Sequence, residues 1–136
     1  MRFIDTNVFL RFLTADDPEK AVACRELLLR VDAGEEAMTS ETVVAEVFYV
    51  LTRGGDGYAL DRASLVDRFW PILAAKGLRL PAKGVVRRAL AIYAQYPVLD
   101  FEDALSVAHM EAAGISEIVS YDRDFDRVAG IARVEP

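Results

Sequence analysis

Asp5, Glu46, Asp100, Asp103, Asp122 and Asp124 stand at places from which a folded chain could bring carboxylates together. Several carboxylates cannot converge while ionised, because their repulsion raises each pKa, unless a cation joins them. Hard divalent ions take oxygen ligands, and Mg²⁺ is satisfied by one or two carboxylates plus water and a substrate phosphate. A site of that kind acidifies a water and stabilises the leaving oxygen of a phosphodiester. It needs no other nucleophile, which suits a chain with one histidine, His109, and one cysteine, Cys24.

Each acid has a plainer reading beside this one. Asp100 and Asp103, three residues apart in Leu-Asp-Phe-Glu-Asp-Ala-Leu, suit a helix start, where an N-cap and a favourable dipole contact explain them. Asp122, in Val-Ser-Tyr-Asp-Arg-Asp-Phe, could be a turn residue. Asp5 is harder to assign to structure, because Asp is depleted in strands. Glu46 is hardest, since Val44, Ala45, Val47 and Phe48 flank it and a carboxylate buried alone is costly.

The elements that must position these acids follow from period and punctuation. Residues 2–4 read as a buried strand ending in Asp-Thr-Asn, followed by a helix from about residue 8 to 13. Asp17 and Pro18 open a helix with an apolar stripe at Ala21, Cys24, Leu27, Leu28 and Val31, stopped by Gly34. Residues 37–39 form a very short strand. Thr39 or Ser40 caps a helix over 41–52, and a loop follows at 54–57. Asp61 caps a helix reaching about residue 75, which Pro71 should kink or end early. Residues 78–80 read as a strand and Pro81 as the start of a helix reaching about residue 96. A helix over 100–113 ends at Gly114, with strands at 117–120 and 131–134. Short apolar strands alternating with longer helices predict an α/β fold with a parallel sheet. In such a sheet ligands bind outside the carboxyl ends of the strands, where Asp5 and Asp122 are expected.

A chain of 136 residues, 53% hydrophobic, suits one domain spanning 1–136 with a continuous core. No apolar run is long enough for a membrane span, and no secretory signal pattern opens the chain. The lone cysteine excludes a disulfide framework and a cysteine zinc cluster, so the cytosol is the expected compartment. The net charge of −6 argues against a nucleic-acid partner at first sight. With the six candidate acids set aside, however, the remaining acidic and basic side chains balance. Thirteen of the 16 basic residues are Arg, the side chain suited to bidentate phosphate contact.

Ile-Asp-Thr-Asn-Val at 4–8, Ala-Glu-Val at 45–47, Asp-Phe-Glu-Asp-Ala-Leu at 100–105 and Ser-Tyr-Asp-Arg-Asp-Phe at 120–125 together resemble the PIN-domain ribonucleases, and most of all the VapC-like toxins of toxin–antitoxin pairs. The resemblance implies a three-layer α/β/α sandwich around a small parallel sheet. It implies endonucleolytic cleavage of RNA with Mg²⁺ or Mn²⁺, a cognate antitoxin protein and a homodimer. By position, Asp5, Glu46, Asp103 and Asp122 match the four acids of the family, and Asp100 and Asp124 its variable accessory acids. Thr6 or Asn7 matches a polar residue that positions the first acid or a water. Ser120 replaces a common Thr and keeps the hydroxyl, while Tyr121 stands where a polar or basic residue is usual.

Two other classes are compatible with parts of this pattern. Haloacid-dehalogenase-like phosphatases also open with a strand-end Asp, but need a second Asp two residues on, where this chain has Asn7. Alternatively, the acids could hold a structural cation in an interaction module without nuclease activity. No Gly-rich phosphate loop follows a strand, which excludes a P-loop or dinucleotide site. His109 reads as a partly buried structural residue and Cys24 as inert core. Arg87 and Arg88 read as a solvated face or a phosphate contact. Phe9, Phe12, Phe48, Tyr49, Phe69 and Trp70 read as core or dimer interface.

Overall fold

Capping residues set most of the helix starts. The computed structural model describes residues 1–55 and 57–136, so the loop expected at 54–57 includes one position outside the described residues. The described chain forms two compact units, Met1–Lys83 and Gly84–Pro136.

The first unit holds strands β1 (Arg2–Phe3), β2 (Ala37–Met38) and β3 (Leu78–Arg79), with helices α1 (Thr6–Thr14), α2 (Pro18–Asp32), α3 (Glu41–Thr52) and α4 (Arg62–Ala74). The strands pair in parallel in the order β1-β2-β3, with Arg2 opposite Ala37 and Ala37 opposite Leu78. Two-residue strands carry few ladder bonds, so helix packing must supply the stability. The centre of that packing is aromatic. The Phe69 ring stands 5.7 Å from Phe9 and 5.3 Å edge-on from Phe48, and all three are buried. Asp17, Ser40 and Asp61 accept hydrogen bonds from Lys20, Val43 and Ser64 backbone N–H groups, as their sequence positions predict.

The second unit holds α5 (Lys83–Gln95), which begins at the boundary, α6 (Phe101–Ala113), β4 (Glu117–Val119), a 3-10 helix (Arg123–Arg127) and β5 (Ala132–Val134). β4 and β5 pair in parallel, with Glu117 opposite Ala132. The Tyr93 and Phe101 rings meet edge-on at 5.7 Å. Gly114 ends α6 in the left-handed region, φ 69°, which glycine adopts without steric cost.

The fold class is α/β with parallel sheets, and several local expectations are corrected. Of the two effects expected of Pro71, a kink or an early end, the early end does not occur: α4 runs through it to Ala74. Pro71 and Asp67, whose carbonyl loses its partner, are both exposed, so water can take the missing bond. Pro81 does not open α5, because Ala82 at φ 52° intervenes and the helix starts at Lys83. β1 is not a buried strand: Arg2 and Phe3 are exposed, and burial begins at Ile4. The stripe on α2 is only half covered, Val31 being its single buried residue. Cys24 is therefore half-exposed rather than core, and His109 is exposed. Phe9, Phe48 and Phe69 are core, whereas Tyr49 and Trp70 are exposed.

No helix among the described residues is long and apolar enough to cross a membrane.

Candidate active site

In the first unit, the chain passes from β1 into α1 through Ile4 and Asp5. Ile4 is fixed twice, its N–H donating to the Met38 carbonyl at 2.7 Å and its carbonyl accepting the buried Thr39 hydroxyl at 3.0 Å. Asp5 is the N-cap of α1, yet its side chain accepts no capping bond. The contrast is informative, because Asp17, Asp61, Asp100 and Asp122 all cap with their side chains. Asp5 thus keeps an exposed carboxylate beside a helix N-terminus, where the dipole favours negative charge.

The next residue, Thr6, is buried, and its hydroxyl donates to Glu46 Oε2 at 2.6 Å. Glu46 is exposed, which corrects the expectation that it is buried among apolar neighbours. Thr42, Glu46 and Tyr49 form the exposed stripe of α3 at helical spacing, while Val43, Val44, Ala45, Val47, Phe48 and Leu51 face the core. Its side-chain partner is the Thr6 hydroxyl, although exposure means that burial does not demand one. Asn7 is exposed on the first turn of α1.

In the second unit, Asp100 caps α6 by accepting the Asp103 backbone N–H at 2.8 Å. Asp103 is half-buried, and its carboxyl is pushed up to about 6. Burial is the largest cause, followed by the Asp100 charge, a side-chain hydrogen bond with Asp100 and the Asp122 charge. Asp122 ends the segment after β4 and caps the 3-10 helix through the Asp124 N–H at 2.9 Å. Its own N–H donates to the Ser120 hydroxyl at 3.0 Å. Asp124 is half-buried within the 3-10 helix and Tyr121 is exposed. The plainer reading of Asp100 as a cap therefore holds, and Asp122, expected in a turn, caps the 3-10 helix there; beside these roles stands a repulsion on Asp103 that a cation would relieve.

The structure gathers Asp5, Thr6 and Glu46 in one unit and Asp100, Asp103, Ser120, Asp122 and Asp124 in the other. Among the described residues no three side chains of ligand type form a ready-made metal cage. The donor chemistry nevertheless fits Mg²⁺ or Mn²⁺, which need only one or two carboxylates beside water. The raised Asp103 carboxyl is the observation that a cation would reverse.

Two features escaped the sequence reading. Arg133 is nearly covered, its side chain 11% exposed, and its Nη1 donates to the Ser120 carbonyl at 2.8 Å while Nε donates to Asp126 at 3.0 Å. It ties β5 to the segment carrying Asp122, and only its position in a three-residue strand hinted at this. Asp16 accepts from the Arg11 guanidinium and, at 2.7 Å, from the Tyr58 hydroxyl. Tyr58 lies 42 residues away, so local sequence gives no sign of it. Arg88 forms two hydrogen bonds with Glu111 at 2.6 and 3.0 Å, on a solvated face.

The sequence model of the PIN domain family matches residues 2–131. The chain is similar to a VapC ribonuclease of Aquifex aeolicus, 28% identical over 137 residues, covering 100% of this chain and 97% of that one. It is equally similar to Ribonuclease VapC13 of Mycobacterium tuberculosis, 28% identical over 98% of this chain and 99% of the other. Ribonuclease VapC23 of the same species is 26% identical over 90% of this chain and 93% of its own length.

Proposed function

The chain belongs to the PIN-domain family, and from that premise we propose that it is a metal-dependent endoribonuclease, the toxin of a toxin–antitoxin pair. Its relatives along nearly the whole length are named VapC ribonucleases. The observation that carries the reading is the grouping of Asp100, Asp103 and Asp122 at the start of α6, where Asp100 accepts the Asp103 N–H at 2.8 Å and burial, with the Asp100 and Asp122 charges, pushes the Asp103 carboxyl up to about 6. A divalent cation held there would relieve the repulsion among these carboxylates, and Asp103, unlike Asp100, makes no capping bond that would account for its place.

In this reading Asp5 and Glu46 from the first unit and Asp103 and Asp122 from the second are the acids of a single nuclease domain, with Asp100 and Asp124 accessory. Bound Mg²⁺ or Mn²⁺ supplies Lewis-acid charge to the phosphodiester and acidifies a water. The residues of the chain hold and orient. Thr6 fixes one rotamer of Glu46 through its 2.6 Å bond. Thr39 fixes Ile4 and so the approach of Asp5. Ser120 fixes the backbone of Asp122. Asn7 stands one residue beyond Thr6, exposed toward water or substrate. The substrate is RNA, the regulator an antitoxin protein, and the toxin a homodimer.

Asp5→Asn and Asp122→Asn proteins are to be assayed with Mn²⁺ against a panel of structured RNAs, beside calorimetric Mn²⁺ binding. The expected result is loss of cleavage in both, with weakened Mn²⁺ binding and an unchanged fold. Wild-type cleavage retained by either variant refutes the assignment of that acid. Metal binding without cleavage of any RNA by the wild type refutes the nuclease.

A further inference from the structure

Arg11 and Lys20 take no part in the acidic sites, yet they share a pocket of about 360 Å³ whose other walls are Asn7, Val8, Ala23 and Cys24. It lies where α1 meets α2 and begins two residues after Asp5. Asn7 and Arg11 are four apart on α1 and so lie on one face, which Val8 shares, and Lys20, Ala23 and Cys24 share a face of α2 at the same spacing. The lining thus mixes polar groups with the apolar Val8 and Ala23 and the neutral Cys24 thiol, which partial burial raises further.

Arg11 is held in place, and Lys20 is free to adjust. Arg11 Nη1 donates to both Asp16 oxygens at 2.9 and 2.8 Å. The Tyr58 hydroxyl and Arg11 together hold the Asp16 carboxyl down at about 2, so the pair stays charged. These bonds engage one guanidinium nitrogen and leave the Nε and Nη2 donors for an incoming acceptor, the fork geometry that suits phosphate. Lys20 is 66% exposed and pairs with Asp17 at 3.4 Å, a contact that rearranges at little cost. A volume near 360 Å³ lies in the range of small-ligand sites. Cations beside apolar groups suit phosphate and base together, the combination found in single-strand nucleic-acid grooves.

We propose that this pocket is a nucleotide subsite, seating one nucleotide of single-stranded RNA on the Asp5 side of the bond to be cut. The phosphate meets Arg11 and Lys20, and the base or ribose lies on Val8, Ala23 and Cys24. The proposal rests on the ribonuclease reading and names where that enzyme grips its substrate.

The test measures binding of fluorescent hexauridylate by anisotropy in EDTA, where no cleavage intervenes, across a salt series. Wild type should bind. Lys20→Ala should weaken binding about three- to tenfold at low salt and reduce the slope of log K against log salt by roughly 0.7 to 1. Lys20→Arg should keep both. Ala23→Phe, which fills the pocket at unchanged charge, should weaken binding at every salt concentration. Lys76→Ala, an equal charge change at an exposed position outside the pocket, should change neither quantity. The proposal is overturned if wild type does not bind. It is equally overturned if the Lys20 and Lys76 variants weaken alike, if Ala23→Phe binds normally, or if hexaglutamate binds as well as the oligonucleotide. Failure of the ribonuclease reading looks different: the oligonucleotide binds as expected, and no RNA is cut when Mg²⁺ or Mn²⁺ is added.

Discussion

Asp103→Asn should make the metal-free protein more stable while abolishing its activity. The wild-type carboxyl sits at about 6 against an ordinary value of 3.8. A difference of about two in pKa is ~3 kcal/mol against the charged form. Asp103 is only half-buried, and solvent screening trims this to about 1–1.5 kcal/mol. The direction follows from linkage. Well below pH 3.8 the acid is neutral both folded and unfolded, and no penalty exists; the penalty builds as the unfolded carboxyl ionises above 3.8, and it is complete once pH passes about 6 and the folded form must ionise against Asp100 and Asp122. An amide at 103 is neutral throughout and escapes it. With an unfolding entropy of roughly 2 cal/mol/K per residue, a chain of this length gains about 3–5 °C in Tm.

The assay is thermal unfolding in EDTA at pH 7.5 and pH 4.0, repeated at pH 7.5 with millimolar Mn²⁺. The variant should melt higher at pH 7.5, most of its advantage should disappear at pH 4.0, and Mn²⁺ should raise the wild type more than the variant. A variant that melts at or below wild type at pH 7.5 in EDTA refutes the reasoning. So does an advantage that persists undiminished at pH 4.0, which would place the gain in packing rather than charge.

Thr6→Val should lower RNA cleavage about ten- to a hundredfold by freeing the Glu46 rotamer, and Thr6→Ser should restore most of it; equal activity in both variants would separate the 2.6 Å bond from catalysis. Arg133→Met should cost about 1.5–3 kcal/mol in urea unfolding, because charge-assisted bonds to the Ser120 carbonyl and Asp126 are lost, and cleavage should fall with it. Gly77→Ala should be among the most destabilising single changes, about 3 kcal/mol or more by denaturant midpoint, since a Cβ there would run into the Glu35 and Val31 carbonyls. A near-neutral result at Gly77 would mean that the turn between α4 and β3 yields easily.

Caps and termini were readable in the sequence because their physics is local. Asp17, Ser40, Asp61 and Gly114 each act within four residues of themselves. The candidate acids stand out for a related reason: Asp5, Asp103 and Asp122 sit where residue type punctuates strand ends and helix starts, and Glu46 is a carboxylate among Val44, Ala45, Val47 and Phe48. The surroundings of the acids were not readable. Glu46 looked buried because the composition of α3 is almost wholly apolar, and composition conceals a stripe only three side chains wide, Thr42, Glu46 and Tyr49. The cover of α2 was misjudged in the opposite direction. An apolar stripe shows that a face would gain from burial, not that the same chain supplies the cover, and Ala21, Cys24, Leu27 and Leu28 remain half-exposed. Arg133 and Tyr58 act across sequence gaps that no periodicity spans.

The hydroxyls explain how such short strands can aim the candidate acids. A strand of two or three residues offers too few ladder bonds to define the direction of the side chain that follows it. Beside three of the four acids, a hydroxyl makes a bond that the ladder does not: Thr39 to the carbonyl before Asp5, Thr6 to Glu46 itself, and Ser120 to the N–H of Asp122. Each bond contributes about 1 kcal/mol to stability. A displacement of ~1 Å in a catalytic group can cost about a hundredfold in rate. Removing these hydroxyls should therefore weaken catalysis out of proportion to stability. Comparing the two losses in Thr39→Val, whose hydroxyl is fully buried and touches no acid directly, separates orientation from simple packing. If cleavage falls only as far as the folded fraction falls, the hydroxyl is structural; a drop of tenfold or more in a fully folded protein shows that it aims Asp5.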